Sequence, residues 1–285
     1  MKLRHARGSL DLDRVQVVGI LNRIPDSFYD PGRMPLRESV ERALVMATEG
    51  AGFVDIGGVK AGPGAPVSEE EELERVVSLV EAVAKEIALP MSVETSRPSV
   101  ARRALDAGAA IVNDVTGLND PELATVCAET GAALVLMHHG SQLRGRPRHP
   151  RYDDVVEAVT SEWSRLEDVA SGAGISRDAL VVDPGLDFGK TTYHSLELMR
   201  RLPELVDHGL PLLVAASRKD VVGETLALPP GERLEGSLAL AALATRDGAR
   251  LIRVHDVKET VRVVRMVEAV AGSRPPEGGV RGLWD

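Results

Sequence analysis

Asn113 and Asp183 offer an amide and a carboxylate, groups suited to the edge of a planar nitrogen heterocycle, because a carboxylate accepts two parallel N–H bonds. A second set, Asn22, Lys219, Arg253 and His255, supplies donors that can hold a phosphate or pyrophosphate. Cations gathered in a chain of formal net charge -9 point to an anionic ligand. His138 and His139 in "LMHHG", with His149 beyond them, raise a transition-metal reading. Adjacent side chains diverge, however, and the helical i, i+4 spacing and a cysteine partner are both missing. A Mg²⁺ ion shared with substrate phosphates needs fewer protein ligands and fits this residue set better. Taken singly, each of these polar residues would serve equally as a helix cap or a solvated turn.

Their common placement argues for a site. Eight Val/Ile/Leu-rich runs, at 15–21, 52–58, 90–95, 110–115, 133–138, 180–185, 211–217 and 250–255, are each followed by a polar turn. Helical periodicity fills 37–49, 69–86, 98–107, 121–130, 153–172, 194–207, 232–247 and 257–271. Ser68 before Glu69–Glu72 reads as a helix start, its hydroxyl capping free amides while carboxylates oppose the dipole. Strand then helix, eight times, predicts a single α/β domain, a (β/α)₈ TIM barrel over 15–271, with an N-terminal extension (1–14) and a C-terminal tail (272–285). A doubly wound open sheet is disfavoured because G-x-G-x-x-G is missing after the first run. In a barrel the C-terminal strand ends share one rim, and those ends carry Asn22, Asp55, Glu94, Asn113, Asp114, His138, His139, Asp183, Ser217 to Lys219, Arg253 and His255.

The bulk numbers narrow the partners. Apolar residues make up 44% of the 285 positions and aromatics only 3%, so aliphatic side chains must build the core, as parallel strands under helices require. The acidic balance argues against a nucleic-acid surface, and "SEEEELERV" reads as a solvated helix face. The one cysteine, Cys127, lies in a helical pattern and reads as a buried thiol in a reducing compartment. The N-terminal residues lack the apolar stretch of a secretory signal, and no run approaches the ~20 apolar residues of a membrane span. A cytoplasmic protein with no membrane partner is expected.

The motifs "GILNRIPDSFYD", "VDIGG", "PGAPVSEEEELERV", "AGAAIVNDVTGLNDPE", "LVLMHHG", "VVDPGLDFGKT", "SRKDVVG", "RLEGSLA" and "RVHDVKET", in this order from about residue 15 to 271, resemble the dihydropteroate synthases. These are the pterin-binding (β/α)₈ enzymes of folate synthesis. The resemblance implies that 6-hydroxymethyl-7,8-dihydropterin pyrophosphate is joined to p-aminobenzoate, with Mg²⁺ assisting and pyrophosphate leaving. It further implies pterin contacts at Glu94, Asn113, Asp183 and Lys219, and pyrophosphate contacts at Asn22, Arg253 and His255, with Asn22 meeting the metal. Catalysis would rest on Lys219, Arg253 and His255, since charge grows on the leaving group as the C–O bond breaks. A homodimer is implied by the same resemblance.

The chain also departs from the family pattern. Where the family reads "GGESTRPG", this sequence has "GGVKAGPG", with Ala61 and Gly62 in place of a threonine and an arginine. Lys60 is then a candidate anion contact, together with Arg23 of "NRIPDSF", where Ile24 replaces a family hydroxyl, although an ammonium lacks the guanidinium fork. Gly62 and Gly64 raise the entropy cost of ordering the loop. Glu94 in "SVETS" replaces a family aspartate with a side chain one methylene longer. Asp220 of "SRKD" stands where a serine neighbours the acceptor's carboxylate, and two like charges at about 4 Å repel by ~4 kcal/mol at an effective dielectric of 20. Arg218 is a candidate to neutralise it. These replacements resemble a second, divergent actinobacterial branch of synthase-like proteins, so slowed synthesis is one expectation. The alternative is a pterin-binding paralogue with a different amine acceptor, or a non-catalytic one with a regulatory or assembly role.

Overall fold

A computed structural model describes residues 1–23, 35–60, 65–140, 149–279 and 281. The chain opens with an antiparallel hairpin, β1 (Lys2–His5) and β2 (Gly8–Asp11). Parallel strands β3 (Gln16–Asn22), β4 (Phe53–Gly57), β5 (Met91–Glu94), β6 (Ile111–Asp114), β7 (Ala133–Met137), β8 (Leu180–Asp183), β9 (Leu213–Val214) and β10 (Leu251–Val254) form one sheet. Its order runs β8-β7-β6-β5-β4-β3-β10-β9, and a bridge between Val182 and Leu212 closes the ring. The structure is a single (β/α)₈ barrel.

Around it lie α1 (Leu36–Glu49), α2 (Glu69–Val83), α3 (Pro98–Ala107), α4 (Glu122–Thr130), α5 (Val155–Gly172), α6 (Thr192–Arg200), α7 (Leu202–Val206), α8 (Asp220–Leu226), α9 (Leu234–Arg246) and α10 (Val257–Val270). Ser68 caps α2 as its position predicts, its Oγ accepting from Glu71 N at 3.2 Å. The helix expected over 194–207 is two: α6 starts earlier, on a Thr191–His194 capping box, and Pro203, which has no N–H to donate, opens α7. The strand expected over 211–217 pairs only at 212–214, so Ser217, Arg218 and Lys219 sit on a loop before α8, a short helix the periodicity did not disclose.

Period-two alternation sends every second side chain of each strand inward. Val18, Phe53, Ile111, Val135, Val181, Leu213 and Leu251 fill the lower interior together with Leu3 and Leu12 of the hairpin, both wholly buried. Residues 1–14, read from sequence as an extension, thus supply the barrel's floor. The opposite parity, including Val17, Val54, Val112, Leu134, Val182 and Ile252, packs outward against the helices. Cys127 of α4 lies in that outer core, where burial pushes its thiol up to about 12. "SEEEELERV" is not a purely solvated face: Glu72 is buried, accepts from Thr95 Oγ1 at 2.6 Å and pairs with Arg97, while Arg75 is buried against Gly58 O at 2.8 Å. No helix among the described residues is long and apolar enough to cross a membrane.

Candidate active site at the barrel mouth

The inward parity that is apolar below turns polar one or two steps further along each strand. Asn22, Glu94, Asn113, Asp183, Arg253 and His255 come from five strands and the residue just past β10, and they line one pocket. Lys60, Ser217, Lys219 and Phe188 complete its wall from the loops.

Arg253 is the centre of its charge. The guanidinium donates through Nε to Asp55 Oδ2 at 2.6 Å, and Nη2 pairs with Glu94. Asp55 also accepts from Asn113 Nδ2 at 3.0 Å and from Ser92 Oγ. Burial disfavours the charged form of Arg253, but Asp55 and Glu94 outweigh it and hold its pKa above the ordinary range. Burial pushes Glu94 up to about 7, against the pull of Arg253 and with the help of Asp55. The longer Glu94 therefore spends its reach on the arginine fork.

Asp183 sits at the end of β8, 5% exposed, with Gly185 N donating to Oδ1 at 2.7 Å. Burial raises its pKa, while Lys219 and that amide oppose the rise. Lys219 Nζ donates to Leu186 O at 2.9 Å and stands 4.9 Å from the centre of the Phe188 ring; burial lowers its pKa. His255 Nδ1 lies 3.1 Å from Ser217 Oγ, and burial pushes the imidazole down to about 4, so it is neutral near pH 7. Asn22 Oδ1 is buried and has no hydrogen-bond partner among the described residues.

Three candidate residues face elsewhere. Arg23 follows inward-facing Asn22 and therefore turns outward, where its Nη1 donates to Ser78 Oγ at 2.8 Å and to Arg75 O at 3.3 Å on α2. The alternation that selects Asn22 for the mouth removes Arg23 from it. Arg218, in the left-handed region at φ 58°, gives Nε to Asp256 Oδ2 at 2.8 Å. Asp220 accepts from Arg233 Nη1 at 3.2 Å. Of the two conspicuous histidines, His138 Nδ1 meets Lys190 Nζ at 2.7 Å and His139 Nδ1 meets Gly140 O at 2.7 Å, so they diverge as neighbours must. Ile24, Ala61, Gly62 and Gly64 lie outside the described residues.

Two contributors were not assigned a role from sequence. Asp55 anchors both Arg253 and Asn113, and its signal was the inward parity of "FVDIG". Phe188 lines the pocket from a loop, where no periodicity marks a side chain's direction.

A parallel barrel whose mouth joins a carboxylate and amide pair to an arginine, a lysine and a histidine defines a class that binds a polar heterocycle beside an anion. Residues 18–255 match the family described as pterin binding enzyme, and the chain belongs to it. The dihydropteroate synthase of Escherichia coli (strain K12) is 44% identical over 278 residues, which span 96% of this chain and 98% of that one. The inactive dihydropteroate synthase 2 of Mycobacterium tuberculosis (strain ATCC 25618 / H37Rv) is 45% identical over 283 residues, spanning 95% and 87%. The crystal structure of Yersinia pestis dihydropteroate synthase with a sulfonamide drug complex superposes with a TM-score of 0.91 at 41% identity, over 96% of this chain and all of that one. Identity alone does not separate an active from an inactive relative, so the pocket's residues must decide.

Proposed function

We propose that this chain is a folate-pathway transferase that joins 6-hydroxymethyl-7,8-dihydropterin pyrophosphate to p-aminobenzoate and releases pyrophosphate. The observation that carries it is the convergence of Asn113, Asp183 and Lys219 with Arg253 and His255 in one pocket. Asn113 and Asp183 would pair with the pterin's N–H edge, and Lys219 would donate to its acceptor edge. A C–N bond forms between the amine and the pterin methylene as the C–O bond to pyrophosphate breaks, and the amine gives up a proton. Arg253 and the neutral donor His255 would meet the charge that grows on the leaving oxygens. No protein nucleophile is required.

Magnesium belongs to this proposal. Asn22 Oδ1, a buried neutral oxygen with no protein partner among the described residues, is the kind of single ligand that suits a cation which keeps waters and takes substrate phosphates. When bound, the ion would supply charge neutralisation at the pyrophosphate. Lys60 in the pocket wall would be a further contact to that group. A cytoplasmic homodimer is part of the same reading; Leu243, Met266 and Val270, exposed on α9 and α10, are apolar side chains a second copy would cover, and sedimentation at micromolar concentration tests it.

The decisive assay combines pure protein with the pterin pyrophosphate, p-aminobenzoate and Mg²⁺. Pyrophosphate release no faster than in a Lys219→Ala control would sink the proposal. A second reading, a paralogue with another amine acceptor or none, draws on the engagement of Arg253 by two carboxylates at once. Under that reading a neutral arylamine outcompetes p-aminobenzoate, or calorimetry records pterin binding without turnover.

A further inference from the structure

Lys190 has no part in the chemistry above, yet it is only 6% exposed, on the loop after β8 that also carries Phe188. Four acceptors surround its Nζ: His138 Nδ1 at 2.7 Å, Gly185 O and Phe188 O at 3.0 Å, and His138 O at 3.2 Å. Burying an amine is costly unless acceptors replace its hydration, and here they do so on every side. The three carbonyls can only accept, and Lys190 donates to each, sharing Gly185 O with the Phe188 N–H. Burial pushes His138 down to about 3, which leaves a neutral imidazole whose Nδ1 can accept as well. Burial also pushes Lys190 down to about 7, and the amine donates in either protonation state.

The acceptors belong to two loops that touch through their backbones. Gly185, Asp187 and Gly189 all have positive φ, at 63°, 68° and 59°, which folds residues 183–190 tightly after β8. A Cβ on Gly185 would stand 2.0 Å from His138 O, so the carbonyl at the end of β7 is pressed onto this loop where only glycine fits. The same loop presents the Phe188 ring to the pocket, and the Lys219 ammonium rests against that ring and the Leu186 carbonyl.

We propose that Lys190 is a positioning residue for the pterin half of the site: by tying the loop after β8 to the end of β7, it fixes the Phe188 ring and the Leu186 carbonyl and through them Lys219. This rests on the pterin reading of the pocket, and it assigns the lysine a role in substrate affinity beyond that of a buried core contact.

Lys190→Met in the full chain tests it with two readouts. Amide hydrogen exchange should speed up across 185–190, including the Phe188 N–H that bonds Gly185 O at 3.0 Å, and stay unchanged in β3 to β6. Calorimetric affinity for 6-hydroxymethyl-7,8-dihydropterin pyrophosphate should fall about tenfold in the wild-type background and less than about twofold when Phe188→Ala is already present. Equal losses in both backgrounds, or unchanged exchange in 185–190, overturn the proposal. If Lys190→Met does not fold, Lys190→Gln passes through the same measurements with the same criteria. Failure of the wild-type chain to bind the pterin pyrophosphate sinks the pterin reading alone, and the exchange result still decides whether Lys190 holds the loop.

Discussion

Arg253 and Asp55 meet at 2.6 Å inside the barrel, and Asp55 is 1% exposed, so the arginine at the mouth is held from below by a carboxylate that water does not reach. Removing one partner of such a pair leaves the other charge buried and uncompensated. Asp55→Ala is expected to cost about 3–5 kcal/mol of stability and to lower turnover, because Asn113 loses the same anchor. Urea denaturation read against the steady-state rate checks both parts.

Glu94 gives the stability a pH dependence of definite sign. Its folded pKa, raised to about 7, lies above the ordinary carboxylate value, so the folded chain keeps a proton that the unfolded chain has already released. This contribution lowers stability as pH rises from the unfolded pKa through about 7. In Glu94→Gln the decline should be shallower over that window, measured as the urea midpoint at successive pH values. An unchanged slope would show that Glu94 is not the titrating group.

Asp183→Asn keeps the size of the side chain but replaces one acceptor oxygen with a donor. The parallel pairing expected with the pterin's N–H edge is then lost. The KM for the pterin pyrophosphate should rise at least about tenfold, with the KM for p-aminobenzoate little changed.

Metal dependence is directly testable. Chelation with EDTA should stop pyrophosphate release, and added Mg²⁺ should restore it. Asn22→Ala should raise the Mg²⁺ concentration needed for half-maximal rate while leaving the thermal midpoint nearly unchanged, because Oδ1 has no protein hydrogen bond among the described residues to lose.

The hairpin should matter to stability although it lies far from the chemistry. Leu3 is wholly buried among Val18, Ile111 and Leu251, and Leu3→Ala is expected to cost about 2–5 kcal/mol. A change below ~0.5 kcal/mol would show that the hairpin only rests on the barrel.

Much of this was legible in the order of residues. Strand periodicity disclosed all eight barrel strands, and the polar residue ending each inward row disclosed Asn22, Glu94, Asn113, Asp183 and Arg253. The same period would have turned Arg23 away, because adjacent strand residues face opposite sides; a charge judged by type alone misled there. Partner choice on loops was not legible. Arg218, two residues from Asp220 and at a positive φ, pairs with Asp256, and Asp220 pairs with Arg233 at the start of α9. Lys190 gave no periodic signal either, because its acceptors are carbonyls from two loops that approach each other only in the closed barrel.

With Leu3 and Leu12 stoppering the lower end, the barrel's pocket lies at its C-terminal rim. A ligand paired with Asn113 and Asp183 would rest at depth, and a second reactant would lie above it. Under the proposed reaction, traffic through that rim would impose sequence: the heterocycle would descend first, the second reactant would close over it, and the joined product would leave by the way its parts came in.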